Sequence, residues 1–264
     1  MKVLLTGATS GIGRAVTEYL RAKDVYVYAL DIATQDTADD NVTYIKCDVC
    51  SQNDLLRAKS LLQKDGVILD AIVNIAGVFI IDSFIEVEES ALRKLFDVNF
   101  FAVTAVNKTF YPLLKKDGRI LITTSEVAPL DPMPFNGIYN VSKTALDGYA
   151  QSLRQELNLL GQRVITIRPG AFNTALAQGS LTKTKELTDK TVLYKEQSGK
   201  FYGLVKMFMG KPKPPEKIAK TYYKALTTKS KKIIYKKHTN KLLLLMNLLP
   251  KRLQVFIVKT LLKK

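Results

Sequence analysis

The chain has 264 residues, and 47% of them are hydrophobic, which is enough for one α/β domain with a sizeable core. Its two cysteines, Cys47 and Cys50, are too few for a disulfide framework and indicate a reducing, cytoplasmic compartment. The sequence has no second Cys-x-x-Cys pair and only one histidine, His238, so a metal site is not predicted. The short apolar run in the opening "MKVLLTG" does not predict a secretory signal.

The net charge of +16 is distributed unevenly along the chain. Residues 1–170 include 18 basic and 20 acidic residues, whereas residues 171–264 include 22 basic and 4 acidic ones, and no acid follows Glu216. A basic C-terminal third predicts an anionic partner, which can be a membrane surface, an acidic protein or nucleic acid. The alternative is a solvated basic face without a partner.

Apolar strands alternate with amphipathic helices from the first residue onward, which is typical of a parallel sheet with crossover helices. Strands are predicted over 2–6, 25–31, 42–46, 70–76, 119–124 and 163–170. Helices are predicted over 11–23, 88–116, 138–160 and 215–226. Gly118 is predicted to follow the second helix in a left-handed conformation. Near-continuous Val, Ile and Leu runs indicate strands buried on both faces, so we expect an α/β sheet with helices on both sides.

The alternation stops at residues 171–215, a polar, lysine-rich stretch that we predict to be a long loop forming a lid. Order returns with an edge strand, "KKIIYKK", at 231–237. Residues 237–264 are apolar and basic, and we predict a C-terminal extension of two short helices hinged near Pro250. Its apolar runs are too short to span a bilayer. The predicted division is one domain over 1–236 followed by this extension.

A glycine-rich stretch, "TGATSGIG", lies between the first strand and the first helix. Its glycines let the backbone approach a pyrophosphate, and the helix N-terminus offers free N–H groups and a partial positive charge. A glycine-rich turn alone is weak evidence, but its position after the first strand favours a dinucleotide site. The residues expected to contact the dinucleotide here are Gly7, Thr9, Ser10, Gly11, Ile12 and Gly13.

Asp31 closes the second predicted strand, where a carboxylate can accept hydrogen bonds from the adenosine ribose hydroxyls. The same negative charge would repel a 2′-phosphate, and neither Ile32 nor Ser10 is basic. The sequence therefore favours NAD over NADP as the cofactor. The alternative role for Asp31 is to cap a helix or a turn.

Tyr139 and Lys143 are four residues apart in a predicted helix, so their side chains share one helix face. A free tyrosine has a pKa of about 10 and is a poor base at neutral pH. A nearby ammonium favours the phenolate, so we predict that Lys143 lowers the pKa of Tyr139 and makes its phenol an efficient proton donor and acceptor. Taken alone, the pair is also compatible with an ordinary amphipathic helix.

Further motifs accompany this pair, and their order resembles that of the classical short-chain dehydrogenase/reductase family. The motifs are the glycine-rich turn, Asp48-Val49 after the third strand, "NIAG" at 74–77, Asn99, Ser125, "YNVSK" at 139–143, "RPG" at 168–170 and Thr174. The resemblance covers about residues 1–236. It implies a Rossmann-type, doubly wound parallel sheet of about seven strands, in which 231–237 is the seventh.

The resemblance also implies a role for each matching residue. Tyr139 would be the catalytic acid/base, Lys143 would lower its pKa and hold the nicotinamide ribose, and Ser125 would hydrogen-bond the substrate oxygen. Asn99 would support a proton-relay water. The other matches would contact the cofactor: Asp48 and Val49 at the adenine, Asn74, Ala76 and Gly77 along its length, and Pro169, Gly170 and Thr174 around the nicotinamide.

Two positions depart from the family pattern. The serine commonly lies thirteen residues before the tyrosine, but Ser125 lies fourteen before Tyr139, and Glu126 takes the thirteenth place. Thr124 is also near. An extra residue in the proline-rich loop "APLDPMPF" would absorb the difference, so Ser125 remains our prediction. The second departure, "NIAG" in place of the common "NNAG", is milder.

The stretch "PFNGIY" before Tyr139 is similar to the branch that acts on steroids, retinoids and long-chain substrates. "FYGLVKMFM" at 201–209 is predicted either as an apolar wall for a lipophilic alcohol or ketone, or as simple packing of the lid. The leading prediction is an NAD-dependent dehydrogenase of a lipophilic alcohol. The alternatives are a 3-oxoacyl carrier-protein reductase, whose acidic carrier would suit the basic C-terminal third, and a nucleotide-binding relative without activity.

Three roles compete for the C-terminal extension. Leucine-rich faces with lysine edges favour attachment in the plane of an anionic membrane, and the second role is packing within the molecule or a dimer. Nucleic acid is not expected, because aromatic residues are not interleaved with the basic ones. The family resemblance implies a homodimer or homotetramer, and we expect a cytoplasmic protein that can be peripheral on a membrane.

Overall fold

A parallel sheet forms the centre of the computed structural model, which describes residues 1–208 and 212–263. Its strands are β1 Lys2–Thr6, β2 Tyr26–Asp31, β3 Thr37–Asp39, β4 Val42–Lys46, β5 Leu69–Asn74, β6 Leu114–Thr123, β7 Arg163–Pro169 and β8 Ile234–Lys237. Their order is β3-β4-β2-β1-β5-β6-β7-β8. Every neighbouring pair is parallel except β3 and β4. The predicted Rossmann-type sheet is confirmed, with β3 as an unpredicted eighth strand.

Helices cover both faces of the sheet. They are α1 Gly11–Arg21, α2 Gln52–Lys64, α3 Glu89–Phe96, α4 Ala102–Phe110, α5 Gly137–Asn158, α6 Ala175–Lys190, α7 Lys195–Phe208, α8 Glu216–Thr227, α9 Lys241–Asn247 and α10 Lys251–Leu262. Side chains of β1 alternate between two buried clusters, because successive strand residues face opposite sides. Leu4 joins the cluster with α2, α4 and α5, whereas Val3 and Leu5 join the cluster with α1 and α8.

The chain reverses direction across the sheet between β1 and β5. From β1 it winds outward through β2 to β4, and then returns to β5 on the other side of β1. Ligands of doubly wound sheets bind at this switch point, outside the carboxyl ends of the strands. The glycine-rich turn follows β1 at this point, and "NIAG" begins at the end of β5.

The predicted helix over 88–116 is interrupted in the middle and ends earlier than predicted. A π-helical turn at Asp97–Phe101 separates α3 from α4, and a short 3₁₀ turn at Tyr111–Leu113 ends the helical segment. Leu114 already belongs to β6, where it pairs with Leu69. Gly118 therefore lies inside a strand, and its φ angle is not positive.

The predicted loop over 171–215 is also wrong in part, because most of it forms α6 and α7. These two helices pack on each other and on the loops beside β5 and α5, and Leu187 and Phe201 are buried between them and the domain. The predicted apolar wall at 201–209 falls on α7, except that residue 209 lies outside the described residues, as do 210 and 211 of the predicted lid. We refer to α6 and α7 together as the lid.

The C-terminal extension consists of α9 and α10, which lie on either side of Pro250 as predicted. It packs on the lid, because Val258 and Leu262 join Phe201 and Leu204 in one apolar cluster. Within the described residues, the structure contains no helix with the length and hydropathy that a membrane span requires.

Candidate active site

Contacts in the glycine-rich turn leave no room for side chains. Gly7 and Gly11 have positive φ angles of 71° and 50°. A methyl group added at Gly13 would lie 1.7 Å from Gly7 O, and one added at Gly7 would lie 2.8 Å from Ala76 N. Ser10 occupies the N-cap of α1 without a side-chain capping bond. The turn thus presents bare backbone and the uncapped N-terminus of a helix, a combination that suits an anionic ligand.

Asp31, at the end of β2, is hydrogen-bonded to this turn. Its Oδ2 accepts a hydrogen bond from Thr9 N at 3.0 Å, and its Oδ1 accepts one from Ala33 N at 3.0 Å. This is the capping role that the sequence left open as an alternative. A carboxylate oxygen has more than one acceptor site, so Asp31 can still accept hydrogen bonds from hydroxyl groups of a ligand.

Asp48 and Val49 follow β4 at the same edge of the sheet. Asp48 is exposed, its Oδ1 accepts a hydrogen bond from Cys50 N at 2.9 Å, and its own N–H donates to Asp54 Oδ2 at 2.8 Å. Val49 is buried in the core beside α2. Of the two residues, only Asp48 is therefore exposed at this edge of the sheet.

The side-chain amide of Asn74, at the end of β5, has a buried oxygen without a hydrogen-bond donor among the described residues. Its Nδ2 donates to Asn107 Oδ1 at 2.8 Å and to Leu121 O at 3.3 Å. Its Oδ1 is buried and has no hydrogen-bond partner among the described residues. Such atoms are rare in native structures, and a ligand donor would satisfy this one. The chain continues to Ala76, whose N–H donates to Thr6 Oγ1 at 3.3 Å.

Tyr139 and Lys143 lie on one face of α5, as their spacing predicts. Lys143 Nζ is 5.8 Å from the centroid of the Tyr139 ring and donates to Thr123 O at 3.4 Å. The lysine is only 4% exposed. Burial lowers the pKa of Lys143 to about 8, because the ammonium loses its hydration there.

The phenol of Tyr139 lies beneath the ring of Phe79. The two ring centroids are 4.8 Å apart, and the rings meet edge to face at 72°. Burial raises the pKa of Tyr139 to about 12, while a hydrogen bond with Ser125 lowers it and the negative charge of Glu126 raises it. The predicted lowering of this pKa by Lys143 is therefore wrong in this structure, because the loss of hydration outweighs the other effects.

The side chains of Thr124 and Ser125, which follow β6, point to different partners. This difference favours one of the two hydroxyls as the candidate for binding the substrate oxygen. The side chain of Ser125 lies close enough to the Tyr139 phenol to lower its pKa, whereas Thr124 Oγ1 donates to Asp147 Oδ1 at 3.2 Å. Glu126 accepts a hydrogen bond from Asn240 N, which precedes α9. The geometry thus favours Ser125, as predicted, and gives Glu126 a link to the C-terminal extension.

Asn99 lies in the π-helical turn between α3 and α4, a type of turn that is frequent at functional sites. Its Nδ2 donates to Val78 O at 2.9 Å and to Ser142 Oγ at 3.1 Å, and its Oδ1 accepts from Val78 N at 2.8 Å. A methyl group added at Gly77 would lie 3.2 Å from Asn99 Oδ1 and 3.4 Å from Lys143 Nζ. The loop after β5 and helix α5 therefore meet at Asn99.

The segment after β7 closes the other side of the crevice. A methyl group added at Gly11 would lie 3.1 Å from Thr174 Cγ2, so Thr174 borders the glycine-rich turn. Pro169 ends β7. At Gly170 an added methyl group would lie 1.8 Å from His238 O. The close approach of the C-terminal segment thus explains why glycine is needed at position 170, a reason that the sequence did not reveal.

The structure brings Asn99, Ser125, Tyr139 and Lys143 together, and the other predicted residues lie at or after the carboxyl ends of β1, β2, β4, β5 and β7. Sequence reasoning missed Phe79, Ser142 and Asn107. Ser142 directly precedes Lys143, and this adjacency was an available signal, whereas Phe79 belongs to no pattern. Within the described residues no group of three His, Cys, Asp or Glu side chains is arranged to hold a metal ion.

A family model described as short chain dehydrogenase matches residues 1–185. The chain belongs to this family. The family that the motifs predicted is therefore confirmed.

Individual relatives agree with this assignment. Estradiol 17-beta-dehydrogenase 2 from Mus musculus is 32% identical over 201 residues, which are 71% of this chain and 51% of that protein. The human 17-beta-hydroxysteroid dehydrogenase type 1 is 27% identical over 245 residues, which are 85% of this chain and 73% of that protein. The chain spans about half the length of the mouse relative.

Among solved structures, a short chain dehydrogenase family protein from Francisella tularensis subsp. tularensis SCHU S4 superposes with a TM-score of 0.74. The two proteins are 25% identical, and the match covers 89% of this chain and 96% of that one. The fold is therefore shared over nearly the whole solved chain.

Proposed function

We propose that this protein is an NAD-dependent oxidoreductase that transfers hydride between nicotinamide and a lipophilic alcohol or ketone, with Tyr139 as the acid/base. The observation that supports this most strongly is the position of the Tyr139 phenol. It lies beside the Ser125 side chain and one helical turn from Lys143, at the end of a crevice that begins with a glycine-rich turn.

The crevice fits a dinucleotide. The glycine-rich turn offers bare backbone to a pyrophosphate, and Asn74 Oδ1 offers a buried acceptor for a ligand donor. We infer that the residues holding the cofactor are Gly7, Thr9, Ser10, Gly11, Ile12, Gly13, Asp31, Asp48, Val49, Asn74, Ala76, Gly77, Tyr139, Lys143, Pro169, Gly170 and Thr174. Bound there, the reduced cofactor supplies the hydride and the oxidised cofactor accepts it.

The protein moves the proton. In the reduction direction, the Tyr139 phenol donates its proton to the substrate oxygen, and its pKa, raised to about 12, keeps it protonated at neutral pH. Ser125 donates a hydrogen bond to the same oxygen and holds it in place. In the oxidation direction, the Tyr139 phenolate accepts the proton of the substrate hydroxyl and becomes the phenol, and the positive charge of Lys143 stabilises the phenolate before that transfer. Asn99 orients Val78 and Ser142 beside these groups.

An apolar path supports the choice of a lipophilic substrate. Phe79 covers Tyr139 and packs against the cluster that contains Ile81, Phe135 and Phe201. Apolar surface therefore extends from the reacting phenol to the lid. The names of the two relatives refer to estradiol and hydroxysteroids, and a rigid apolar alcohol of that size is the substrate class that we propose here.

The preference for NAD rests on Asp31. Its carboxylate lies at the end of β2 next to the glycine-rich turn, where it would attract ribose hydroxyls and repel a phosphate. A 3-oxoacyl carrier-protein or acyl thioester reductase is the second candidate, and the basic C-terminal third favours it because a carrier protein is acidic. A silent relative is less favoured, because the four polar residues are assembled.

We also propose a homodimer or homotetramer. Phe101 and Val141 are apolar and exposed on the neighbouring π-helical turn and α5, where a second copy would cover them. Light scattering on the purified protein tests this: a Phe101→Ser substitution should lower the measured mass. A wild-type protein that stays monomeric at all concentrations would contradict it.

The function is tested by replacing Tyr139 with phenylalanine and following the absorbance of NADH. Hydroxysteroids, retinol, long-chain alcohols and acyl thioesters are offered with NAD and with NADP in the matching redox state. We expect turnover of an apolar alcohol or ketone, lowered about 10²-fold or more in Tyr139→Phe because the proton donor is lost. Tyr223→Phe, a half-buried tyrosine of α8 that packs on Tyr19, is the matched control.

Unchanged turnover in Tyr139→Phe would refute the acid/base role. A wild-type protein that acts only on acyl thioesters would instead establish the second candidate. Binding of NADH without turnover of any substrate would leave the silent relative as the correct description.

A further inference from the structure

The C-terminal extension is held on the protein by the inner sides of its helices. Leu243 and Met246 of α9 line a small cavity together with Val127 and Leu130 of the loop after β6. In α10, Val258 and the buried Leu262 pack on the lid. These contacts account for the apolar residues on one side of each helix.

Polar contacts fix the extension at both of its helices. Asn240 N, at the N-cap of α9, donates to Glu126, next to the proposed catalytic serine. Gln254 Nε2 of α10 donates to Asp131 Oδ2 at 3.1 Å, and Lys251 Nζ lies 3.2 Å from Asp131 Oδ1. The extension is therefore a built part of the fold with a defined outer side.

That outer side exposes large apolar side chains to solvent. Leu245 and Leu248, in and just after α9, are 60% and 81% exposed, and Val255 and Phe256 of α10 are 67% and 64% exposed. We call these four residues the outer apolar face. Side chains of this size, clustered in one short segment and largely exposed to solvent among the described residues, mark an interaction surface.

Cations alternate with this face along α10. Arg252 lies four residues before Phe256, and Lys259 lies three residues after it, so all three share one side of the helix. Both cations are exposed. No acidic residue follows Glu216, so α9 and α10 themselves carry basic charges only, and Asp131, which contacts α10, is paired with Lys251 and Gln254.

This combination selects an anionic lipid surface as the occupant. A second copy docking the same face would bring Arg252 and Lys259 close to the same two cations of that copy, because symmetric dimers pair identical patches. Like charges would then oppose each other across an apolar contact. A bilayer with anionic headgroups accepts both features, since apolar side chains enter the acyl boundary while cations meet phosphates.

We propose that α9 and α10 seat the protein in the plane of an anionic bilayer, with the outer apolar face inserted and Arg252 and Lys259 at headgroup level. The seat adjoins the lid, because α10 packs on α7. The side of the molecule that bears the lid therefore faces the lipid. This proposal does not depend on the reaction that the crevice performs.

Flotation with vesicles of phosphatidylcholine, with and without phosphatidylglycerol, tests the proposal on the full chain. The wild type should float with the anionic vesicles only, and added salt should release it. The double variant Val255→Ser/Phe256→Ser should lower the bound fraction about tenfold or more, since two apolar side chains no longer insert. Arg252→Glu/Lys259→Glu should lower it by a similar factor.

Matched controls separate this surface from general effects. Leu159→Ser/Leu160→Ser removes two exposed leucines after α5, and Lys23→Glu/Lys64→Glu reverses two exposed charges near α1 and α2. Both control variants should float like the wild type. Point variants are preferable to removing the extension, because a truncation would uncover the apolar cluster under α10.

Equal flotation with neutral and anionic vesicles would overturn the proposal, and so would variants that bind like the wild type. A fall in the oligomer mass of Val255→Ser/Phe256→Ser without vesicles would assign the face to a second copy instead. Thermal unfolding midpoints check that each variant folds. If one variant does not fold, the salt dependence of wild-type flotation still tests the proposal.

Discussion

Lys143 Nζ lies 5.8 Å from the centre of the Tyr139 ring, and burial shifts both groups towards their neutral forms. It lowers the pKa of Lys143 to about 8 and raises that of Tyr139 to about 12. The pair therefore costs stability whenever either group is charged. In the proposed reaction the phenol must nevertheless exchange a proton. Because the Lys143 pKa is the lower of the two, rising pH removes the charge of Lys143 before it ionises Tyr139.

The Lys143 pKa predicts how stability depends on pH. Above pH 8 the native amine is deprotonated while the unfolded chain keeps its proton up to the ordinary value of 10.5, so the unfolded state binds more protons and stability rises with pH in this window. The full effect is on the order of 3 kcal/mol. In Lys143→Met this rise should be absent, as measured by urea unfolding at pH 7 and at pH 9.5.

The comparison between the two proteins is essential for that measurement. Burial also raises the pKa of Cys47 to about 12, and the pKa of the exposed Cys50 is raised to about 11 by partial loss of thiol hydration and by the neighbouring charge of Asp48. Both shifts lower stability as pH rises in an overlapping window. These groups are present in both proteins, so their contribution cancels in the difference. Identical pH slopes in wild type and Lys143→Met would contradict the burial of a depressed lysine.

Gly11→Ala should weaken cofactor binding about tenfold while lowering stability by about 1 kcal/mol. The added methyl group would lie 3.1 Å from Thr174 Cγ2, so Thr174 must move away from the glycine-rich turn. Gly66→Ala is the control, because Gly66 has a similar φ angle of 59° but no heavy atom within 4 Å of an added methyl group. Titration with NADH should show full affinity in Gly66→Ala, and equal weakening in both variants would refute the crowding argument.

Asp31→Asn should shift the cofactor preference from NAD towards NADP. The amide keeps one acceptor for Thr9 N but removes the negative charge that repels a 2′-phosphate, so the ratio of kcat/KM values for the two cofactors should change more than about tenfold. Asp117→Asn, at the exposed amino end of β6, should leave the ratio unchanged. No shift in Asp31→Asn would place the 2′-phosphate pocket elsewhere.

Phe79→Ala should move the alkaline limb of ketone reduction to lower pH by about one unit. Without the ring, water reaches the phenol, and the pKa of Tyr139 falls from about 12 towards its ordinary value of 10.0. Because reduction needs the protonated phenol, activity is then lost earlier as pH rises. Phe79→Leu keeps an apolar cover and should move the limb less. Superimposable pH–rate profiles for the three proteins would refute this role of Phe79.

The fold was predictable wherever local pattern and tertiary packing agree. Strands such as Lys2–Thr6 and helix α5 came out as predicted, because their apolar positions follow the period of the element they form. The lid did not, because its buried positions include Thr184 and Ser198, which satisfy their hydroxyls on the helix backbone and leave no apolar period.

Prediction also failed where a distant contact decides the local structure. The π-helical turn holds Asn99 against Val78, and Leu114 is a strand residue because it pairs with Leu69. In the site, the motifs identified the residues that lie together, but they did not reveal the burial that shifts the pKa values of Tyr139 and Lys143. That burial depends on how the rest of the fold packs around α5, Phe79 included, and the spacing of Tyr139 and Lys143 carries no information about it.

The close crossing of His238 over Gly170 has a practical consequence for attachment of the protein. Gly170 N also donates to Lys237 O at 2.8 Å. The segment that leaves β8 is therefore packed against the residue that follows β7, and we call this contact the clamp. A tag, a fused domain or an immobilising surface that pulls on the C-terminus would act on this clamp. Linkage through Met1 would pull instead on the amino end of β1, and the amino ends of the strands lie opposite the carboxyl ends that form the crevice.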